Sequence, residues 1–343
     1  MKKLSVNIIK NIKTKSIAFK EKRFLPVNAW LSENIFKKTD IVIKKTYRDI
    51  SSLKKGLIVI PIMLVVPLLF LLIPPAIDFG LVSPHHAATV NSFSLVFPVF
   101  FWTLGIVFTI IIGTSGAPLI AEEIKTGTML ILISKPITRT RIFLGKYLAV
   151  FLLGMVLSFI AIFSLGWITV LINSGNIDHF ISLIPFLTAL YLYSLFILFL
   201  FTSITMALSS ILKKSKTVSV VIILIIIVSF VAFQFIRGLV GDFYESFQLY
   251  HFDLGYHLGN VFIFFMETFN VAPPSISWQN LFALLTGVYK FTNIIDPDQR
   301  IDLGGLEKTN YYLPIFSLLI WIIIAVLLLI FGIYKLKKRE ISI

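Results

Sequence analysis

Long apolar runs separated by short polar segments fill the chain from residue 57 onward. An α-helix needs about 20 predominantly apolar residues to cross the hydrocarbon core of a bilayer. Six runs reach that length, at 57–77, 95–120, 144–172, 181–212, 217–237 and 313–334. The pattern therefore predicts an all-α integral membrane protein, with residues 57–343 forming a domain of six transmembrane helices.

The first 56 residues combine apolar and basic positions at helical spacing. Apolar side chains recur every three to four residues, and lysines occupy positions between them. The two apolar stripes are Leu4, Ile8, Ile12 and Phe19, and then Phe36, Ile43, Tyr47 and Ile50. This pattern is typical of helices that lie flat at a membrane surface, so residues 1–56 are predicted to be a basic amphipathic region. A flexible basic tail is the alternative.

The segment 238–312, between the fifth and sixth apolar runs, contains two shorter apolar patterns. One is the run 258–269, and the other is a stripe at helical spacing. The stripe consists of Trp278, Leu281, Phe282, Leu285, Val288 and Tyr289. Neither pattern is long enough to span a bilayer, so the segment is predicted to hold interfacial or re-entrant helices. A small packed cap is the alternative.

Small and aromatic side chains within the apolar runs predict how the helices pack. Small residues recur at four-residue spacing in the third and fourth runs and cluster from Gly113 to Pro118 in the second. Because small side chains let helices approach closely, these positions indicate packing within one subunit. The aromatic group Phe97, Phe100, Phe101 and Trp102 is expected to face lipid. Lining a lateral opening for a hydrophobic cargo is the alternative.

The distribution of charge predicts how the six helices are oriented. The chain is 57% hydrophobic and 14% charged, with a net charge of +14. The segments 1–56, 121–146, 213–216 and 335–343 hold 27 of the 31 lysines and arginines. Positively charged loops stay cytoplasmic, so both termini are predicted to be cytoplasmic in a multi-pass cell-membrane protein, with 238–312 outside. Anionic membrane lipids are expected to attract the basic segments, and nucleic acid is not an expected partner.

The predicted cytoplasmic loop 121–146 contains an unusual series of polar signals. Glu122 and Glu123 follow the second apolar run directly, and Gly127 is expected to loosen the chain there. Residues 128–134 predict a short helix that lies flat, with Met129, Leu130 and Ile133 facing the membrane or a partner. The loop is thus predicted to be a compact lever between two membrane helices.

The second half of the loop leads into the third apolar run. Pro136 ends the short helix because proline cannot continue the helical hydrogen bonds. Thr138 is a predicted N-cap for the next helix. A basic turn with Arg139 and Arg141 then precedes Lys146.

The stretch EEIKTGTMLILISKPITRTRIFLGKYLA resembles the loop of the ABC-2-type permeases, the membrane subunits of ATP-binding-cassette exporters. That family has a glutamate pair, Gly-Thr, an apolar run, Ser-x-Pro, a Ser/Thr-Arg step and Gly-Lys before the next span. The matching positions are Glu122, Glu123, Gly127, Thr128, Leu130, Leu132, Ser134, Pro136, Thr138, Arg139, Gly145 and Lys146.

The resemblance implies a permease subunit of an exporter. In the family, this loop is a coupling helix that docks into a groove on a separate ATPase subunit, so the matched positions other than Gly145, together with Arg141, are the expected contacts. The chain would form half of a dimer with a second permease copy or a paralogue. It lacks the phosphate-binding pattern G-x-x-x-x-G-K-[ST], so ATP and Mg are expected to bind the partner. No cofactor, metal or catalytic site is expected in this chain.

Two other functional classes stay open from the sequence. One is a polytopic membrane enzyme that acts on lipid at the external face, with His251, Asp253 and His257 as candidate residues. The other is a membrane scaffold that contacts the same ATPase without transporting anything.

Overall fold

The computed structural model describes residues 37–72, 79, 81–133, 137–239, 241–271, 276–292 and 305–339. The first predicted amphipathic stripe, Leu4 to Phe19, lies outside these residues. Phe36, Ser134 and Pro136 lie outside them as well. The described part of the chain is mainly helical, which confirms the predicted fold class.

The helices follow one another closely along the chain. They are α1 Lys37–Ile50, α2 Leu53–Phe70, α3 Pro84–Pro98, α4 Thr109–Gly116, α5 Pro118–Lys125, α6 Thr128–Ile133, α7 Arg139–Asn173, α8 Ile177–Ile211, α9 Ser215–Ile227, α10 Phe233–Leu239, α11 Gly241–Ser246, α12 Leu254–Thr268, α13 Ile276–Thr286 and α14 Pro314–Lys338. π-Helical turns at Val99–Phe108 and Val228–Ala232 join α3 to α4 and α9 to α10, and a 3-10 turn, Leu249–His251, precedes α12. Strands β1 Tyr289–Thr292 and β2 Gly305–Lys308 pair antiparallel.

Five helices of the described chain are long and apolar enough to cross a membrane. They are Pro84–Lys125, Arg139–Asn173, Ile177–Ile211, Ser215–Arg237 and Pro314–Lys338. A sixth is added if the bent pair Thr39–Ile50 and Lys55–Phe70, which meets at an angle of 69°, counts as one broken span, so the total is five or six where six are predicted. We call the end of the bundle that carries Lys125, Arg139 and Lys338 the basic end, and the opposite end the cap end.

Helix α1 packs along the start of α7. Val42 and Thr46 are its buried residues, whereas Ile43 and Tyr47 of the predicted stripe are half-buried. The packed face is therefore displaced by one position from the predicted one. A side chain at Gly145 would place its Cβ 2.8 Å from a methyl group of Val42, so glycine is required for this close approach.

The second membrane helix is much longer than predicted. It begins at Pro84 rather than near residue 95, because the Ser83 hydroxyl accepts a hydrogen bond from the His86 N–H at 3.4 Å. Its 42 residues make it about 63 Å long, roughly twice the thickness of the hydrocarbon core. Helix α2 is shorter than predicted, since it ends at Phe70 instead of residue 77.

The same long helix donates hydrogen bonds to two backbone carbonyls of α2. One of these carbonyls lacks its usual helical donor because of a proline. Pro67 has no N–H to donate to the Met63 carbonyl one turn earlier. The Thr103 hydroxyl donates to that carbonyl at 2.8 Å, and Trp102 Nε1 donates to the neighbouring Ile62 carbonyl at 2.9 Å. Satisfying freed carbonyls is what allows a proline inside a membrane helix.

The prediction that the aromatic group near Phe100 faces lipid was wrong for its central member. Phe100 is 1% exposed and lies within an aromatic cluster that joins four helices. Its ring centroid is 5.0 Å from that of Phe262, 5.2 Å from Phe282 and 5.8 Å from Tyr193. The cluster therefore fastens the segment after Arg237 to the interior of the bundle.

Small residues mediate helix packing within the subunit, as predicted. A Cβ at Gly113 would lie 2.6 Å from the Ile222 side chain, and one at Gly154 would lie 2.3 Å from Leu198. These contacts join α4 to α9 and α7 to α8.

The segment at the cap end is packed against the bundle. Every residue of α12 from Leu254 to Ile263 is buried, which excludes a helix with one face in lipid. This burial does not support the predicted interfacial placement of α12 and agrees with the packed-cap alternative. In the predicted stripe from Trp278 to Tyr289, Phe282, Leu285 and Val288 point inward as expected, but Tyr289 begins an unpredicted β-hairpin. The side chains of Trp278 and Leu281 lie outside the described part.

Overpacking at Gly154 is expected to lower stability. Gly154→Leu forces atoms into the contact with Leu198 and should lower the free energy of unfolding by about 1–3 kcal/mol. Gly56→Leu is the control, because a Cβ at Gly56 has no neighbour within 4 Å. Thermal unfolding in detergent measures both. Equal melting temperatures for the two variants would contradict the packing described.

Candidate functional site

The predicted loop opens with a tight turn at the basic end. Helix α5 ends at Lys125, and the Thr126 N–H donates to the Glu122 carbonyl at 2.8 Å. Gly127 then has φ +73°, in the left-handed region that glycine adopts readily, and α6 begins at Thr128. Gly127 thus sets the direction in which the chain leaves α5 and enters α6.

Helix α6 is anchored by Met129. This side chain is fully buried in a small core at the basic end, and Leu132 packs against the same core while half-buried. The core consists of Ile120, Met129, Ile142, Phe143, Tyr147, Met206 and Leu336. The prediction that Met129 faces the membrane or a partner was therefore wrong. The side chains of Leu130 and Ile133 lie outside the described part of the structure.

A buried ion pair joins the two helices on either side of the loop. The Lys146 ammonium contacts a carboxylate oxygen of Glu123 and the backbone carbonyl of Leu119. The Lys146 side chain is 2% exposed and that of Glu123 is 29% exposed. A buried ammonium needs a negative partner and hydrogen-bond acceptors, and the end of α5 supplies both to α7.

The neighbouring Glu122 contacts a different helix. Its carboxylate accepts a hydrogen bond from the Ser215 hydroxyl at 2.8 Å, at the first residue of α9. It also pairs with Lys125 at 3.2 Å on the surface. The two adjacent glutamates thus connect the end of α5 to the starts of two other membrane helices.

Two arginines cap the carboxyl ends of helices at the same level. Arg139 donates through Nη1 to the carbonyls of Leu336, Lys337 and Arg339, at 3.1, 3.0 and 2.7 Å. Arg339 donates to the Ser210 carbonyl at 2.9 Å. Cations at helix carboxyl ends satisfy free carbonyls and complement the helix dipole. Arg139 therefore has intramolecular partners at the end of α14.

A hydroxyl connects the second and fourth membrane helices. Ser209 Oγ donates to the Ala117 carbonyl at 2.8 Å and accepts from the Ala121 N–H at 3.0 Å, across the junction that precedes Pro118. Sequence reasoning did not identify Ser209, because a serine in an apolar helix has no pattern that indicates its partner.

The start of α7 agrees with the prediction. The Thr138 hydroxyl accepts from the Arg141 N–H at 3.4 Å, which confirms Thr138 as the N-cap. The Arg141 residue is half-buried. Among the described residues of the loop, the exposed ones are Lys125, Thr126, Thr128, Thr138 and Leu144. The surface around the turn at Gly127 is therefore hydroxyl-bearing and basic, and Leu144 adds one apolar side chain on α7.

The candidate residues for an external enzyme serve the packing of the cap. Asp253 is fully buried; its carboxylate contacts the Arg237 guanidinium, accepts from the Tyr244 hydroxyl at 2.9 Å and caps α12 through the Tyr256 N–H at 3.0 Å. Burial lowers the pKa of His257 to about 4, so its ring is neutral at pH 7.

His257 makes one further contact that fixes it in the cap. Its Nδ1 lies 3.1 Å from the Ser317 hydroxyl at the start of α14. His251 is exposed and contacts the Tyr312 hydroxyl. Among the described residues, no three histidines or acidic residues form a group that could hold a metal ion.

Long apolar helices, joined at the basic end through a short helix and a polar layer, define a multi-pass membrane protein. The chain belongs to the family described as ABC-2 family transporter protein, which it matches over residues 12–341. This match confirms the resemblance found in the loop. The family comprises membrane permease subunits of ABC transporters, which are not themselves catalytic and generally pair with an ATP-binding-cassette subunit. No curated protein matches the chain.

Removing the charge from Glu123 should destabilise the protein more than removing it from Lys146. Glu123→Gln leaves a buried ammonium without a counter-charge, which costs about 3–5 kcal/mol. Lys146→Met leaves a carboxylate that water reaches, so its cost should be smaller. Chemical or thermal unfolding in detergent measures the order. Glu122→Gln is the control, because Glu122 is more exposed. The opposite order would show that the pair is not the main support of Lys146.

Proposed function

We propose that the chain is the membrane subunit of an exporter in the cell membrane, driven by a separate ATPase subunit that docks on the loop 121–146. Both termini are cytoplasmic, and ATP with Mg binds the ATPase subunit. The distribution of basic residues supports this orientation, and the missing phosphate-binding pattern supports a separate ATPase. The cap end then faces the outside.

The fixed position of α6 is the observation that best supports this function. Met129 holds α6 in the core of the basic end, and Glu123 with Lys146 holds α5 to α7. Through these contacts, a force on α6 would reach two membrane helices together. The Glu122 contact with Ser215 extends the same connection to α9.

The docking surface is best placed at the exposed turn. Lys125, Thr126 and Thr128 are exposed around Gly127, whereas the carboxylates of Glu122 and Glu123 are engaged within the chain. By family resemblance, the contact would continue along Leu130, Leu132, Ser134, Pro136 and Arg141. Glu122, Glu123, Arg139 and Lys146 would act by transmitting the movement that docking starts.

A second permease copy, or a paralogue, completes the membrane unit in this proposal. The most apolar windows of Ser215–Arg237 and Pro314–Lys338 are only 22% and 17% buried in the chain. Their outward faces offer apolar area both to a second subunit and to lipid. Mass measurement of the purified complex would distinguish one permease from two.

Negative charge introduced at the turn should weaken binding of the ATPase. We expect Lys125→Glu with Thr128→Glu to reduce association about tenfold, or ~1.4 kcal/mol, measured by the ATPase that co-purifies with the tagged chain. Glutamate at the first residue of α6 is compatible with a helix N-terminus, so the fold should persist.

Lys290→Glu is the matched control for that experiment. Lys125 and Lys290 are 56% and 54% exposed, and each pairs with a glutamate on the surface, but they lie at opposite ends of the bundle. Equal recovery of the ATPase with both variants would refute docking at the turn. Absence of an ATPase from the wild-type preparation would refute the proposed function itself.

Cysteine labelling tests the orientation directly. The chain has no cysteine, so a single introduced one is a unique label. In intact cells, a membrane-impermeant maleimide should modify Lys290→Cys but modify Lys125→Cys only after permeabilisation. The reverse pattern would place the basic end outside.

A further inference from the structure

Two adjoining clefts flank the elbow between α1 and α2. Their volumes are about 500 Å³ and 490 Å³. They share the lining residues Ile50, Lys55, Val59, Ile111 and Ser115. The first cleft continues along α7 past Val156 and Ile160, whereas the second continues to Pro118 and Leu119. A bound molecule with two branches could therefore place one branch in each cleft and its branch point near Lys55.

The linings of both clefts are divided into apolar walls and a polar elbow. Aliphatic side chains of α2, α4 and α7 form most of the walls. Charged groups and two further hydroxyls cluster at the elbow, where Ser51, Ser52 and Lys55 line the first cleft and Asp49 borders the second. Hydrocarbon chains match the walls, and a polar headgroup matches the elbow.

The net positive charge around the elbow favours anionic headgroups. Residues 44–55 contain five basic residues and one acidic residue, Asp49. Lys44 is engaged by Asp40 at 2.8 Å, whereas Lys55 forms no ion pair within the part of the chain that the structure describes. Basic clusters beside a membrane helix attract anionic headgroups.

We infer that the elbow binds one anionic glycerophospholipid of the cytoplasmic leaflet, with its phosphate at Lys55 and its two acyl chains in the two clefts. The choice of leaflet rests on the orientation proposed above, while the site itself rests on the clefts and on Lys55. Such a lipid would lie between α2 and the helices that carry the loop. Its binding would make the packing of the elbow depend on the composition of the membrane.

Photocrosslinking tests the site in the full chain. The protein is reconstituted into phosphatidylcholine nanodiscs that contain a small fraction of phosphatidylglycerol with a diazirine on one acyl chain. After irradiation, mass spectrometry should find label on the α7 peptide with Val156 and Ile160 and on the start of α2. Unlabelled phosphatidylglycerol should compete better than additional phosphatidylcholine.

Two variants separate the headgroup from the acyl chains. Lys55→Gln should reduce labelling about fivefold, as expected for the loss of one basic group near an anionic lipid. Gly56→Leu lines the first cleft with a larger side chain and meets no neighbour within 4 Å of its Cβ, so it should block labelling of α7 without disturbing the fold. Lys125→Gln, at the same end but outside both clefts, should label as the wild type does.

Three results would overturn the inference. Equal labelling by a phosphatidylcholine probe would mean that bulk lipid fills the clefts without headgroup selection. Unchanged labelling in both Lys55→Gln and Gly56→Leu would place the lipid elsewhere. Absence of label from α7 in the wild type would mean that protein, such as a second copy, covers the clefts. None of these results depends on ATPase binding, so failure of the lipid site can be distinguished from failure of the proposed function.

Discussion

The burial of one ammonium group sets the arrangement of the basic end. Lys146 lies near the start of a membrane helix, where an unpaired charge would be costly, and Glu123 is its counter-charge. To supply that carboxylate, α5 must end beside the start of α7. The chain between them must then turn back on itself, which Gly127 and the short α6 accomplish. The buried position of Met129 follows from the same geometry.

The two ends of the bundle use charge in different ways. At the basic end, charged side chains join one membrane helix to another, either directly or through backbone carbonyls. At the cap end, the buried pair of Arg237 and Asp253 holds a surface segment to the bundle, and the aromatic cluster around Phe100 adds apolar contact below it. A movement started at the basic end would therefore meet a firmly attached cap.

Local signals in the sequence predicted the helices well, but they could not predict distant partners. Apolar run length identified the membrane helices, and the Thr138 cap depended only on residues three positions apart. By contrast, the acceptors of Arg139 lie about 200 residues away, and a basic residue before an apolar run is also typical of a lipid or partner contact. The prediction that Phe100 faces lipid was wrong for a similar reason, because an aromatic residue in an apolar helix can pack equally well against lipid or protein. The β-hairpin was not predicted, because strands of four residues are too short to show a clear alternating pattern.

The sequence separation of these contacts implies an order of assembly. Glu123 and Lys146 are 23 positions apart, so they can pair as soon as the hairpin of the second and third membrane helices has entered the bilayer. The carbonyls that Arg139 binds belong to the last helix and are synthesised almost 200 residues later. Until Pro314–Lys338 has been made, water rather than protein carbonyls must therefore solvate the Arg139 guanidinium. The contacts between α7 and α14 at the basic end thus form later in synthesis than the contact between α5 and α7.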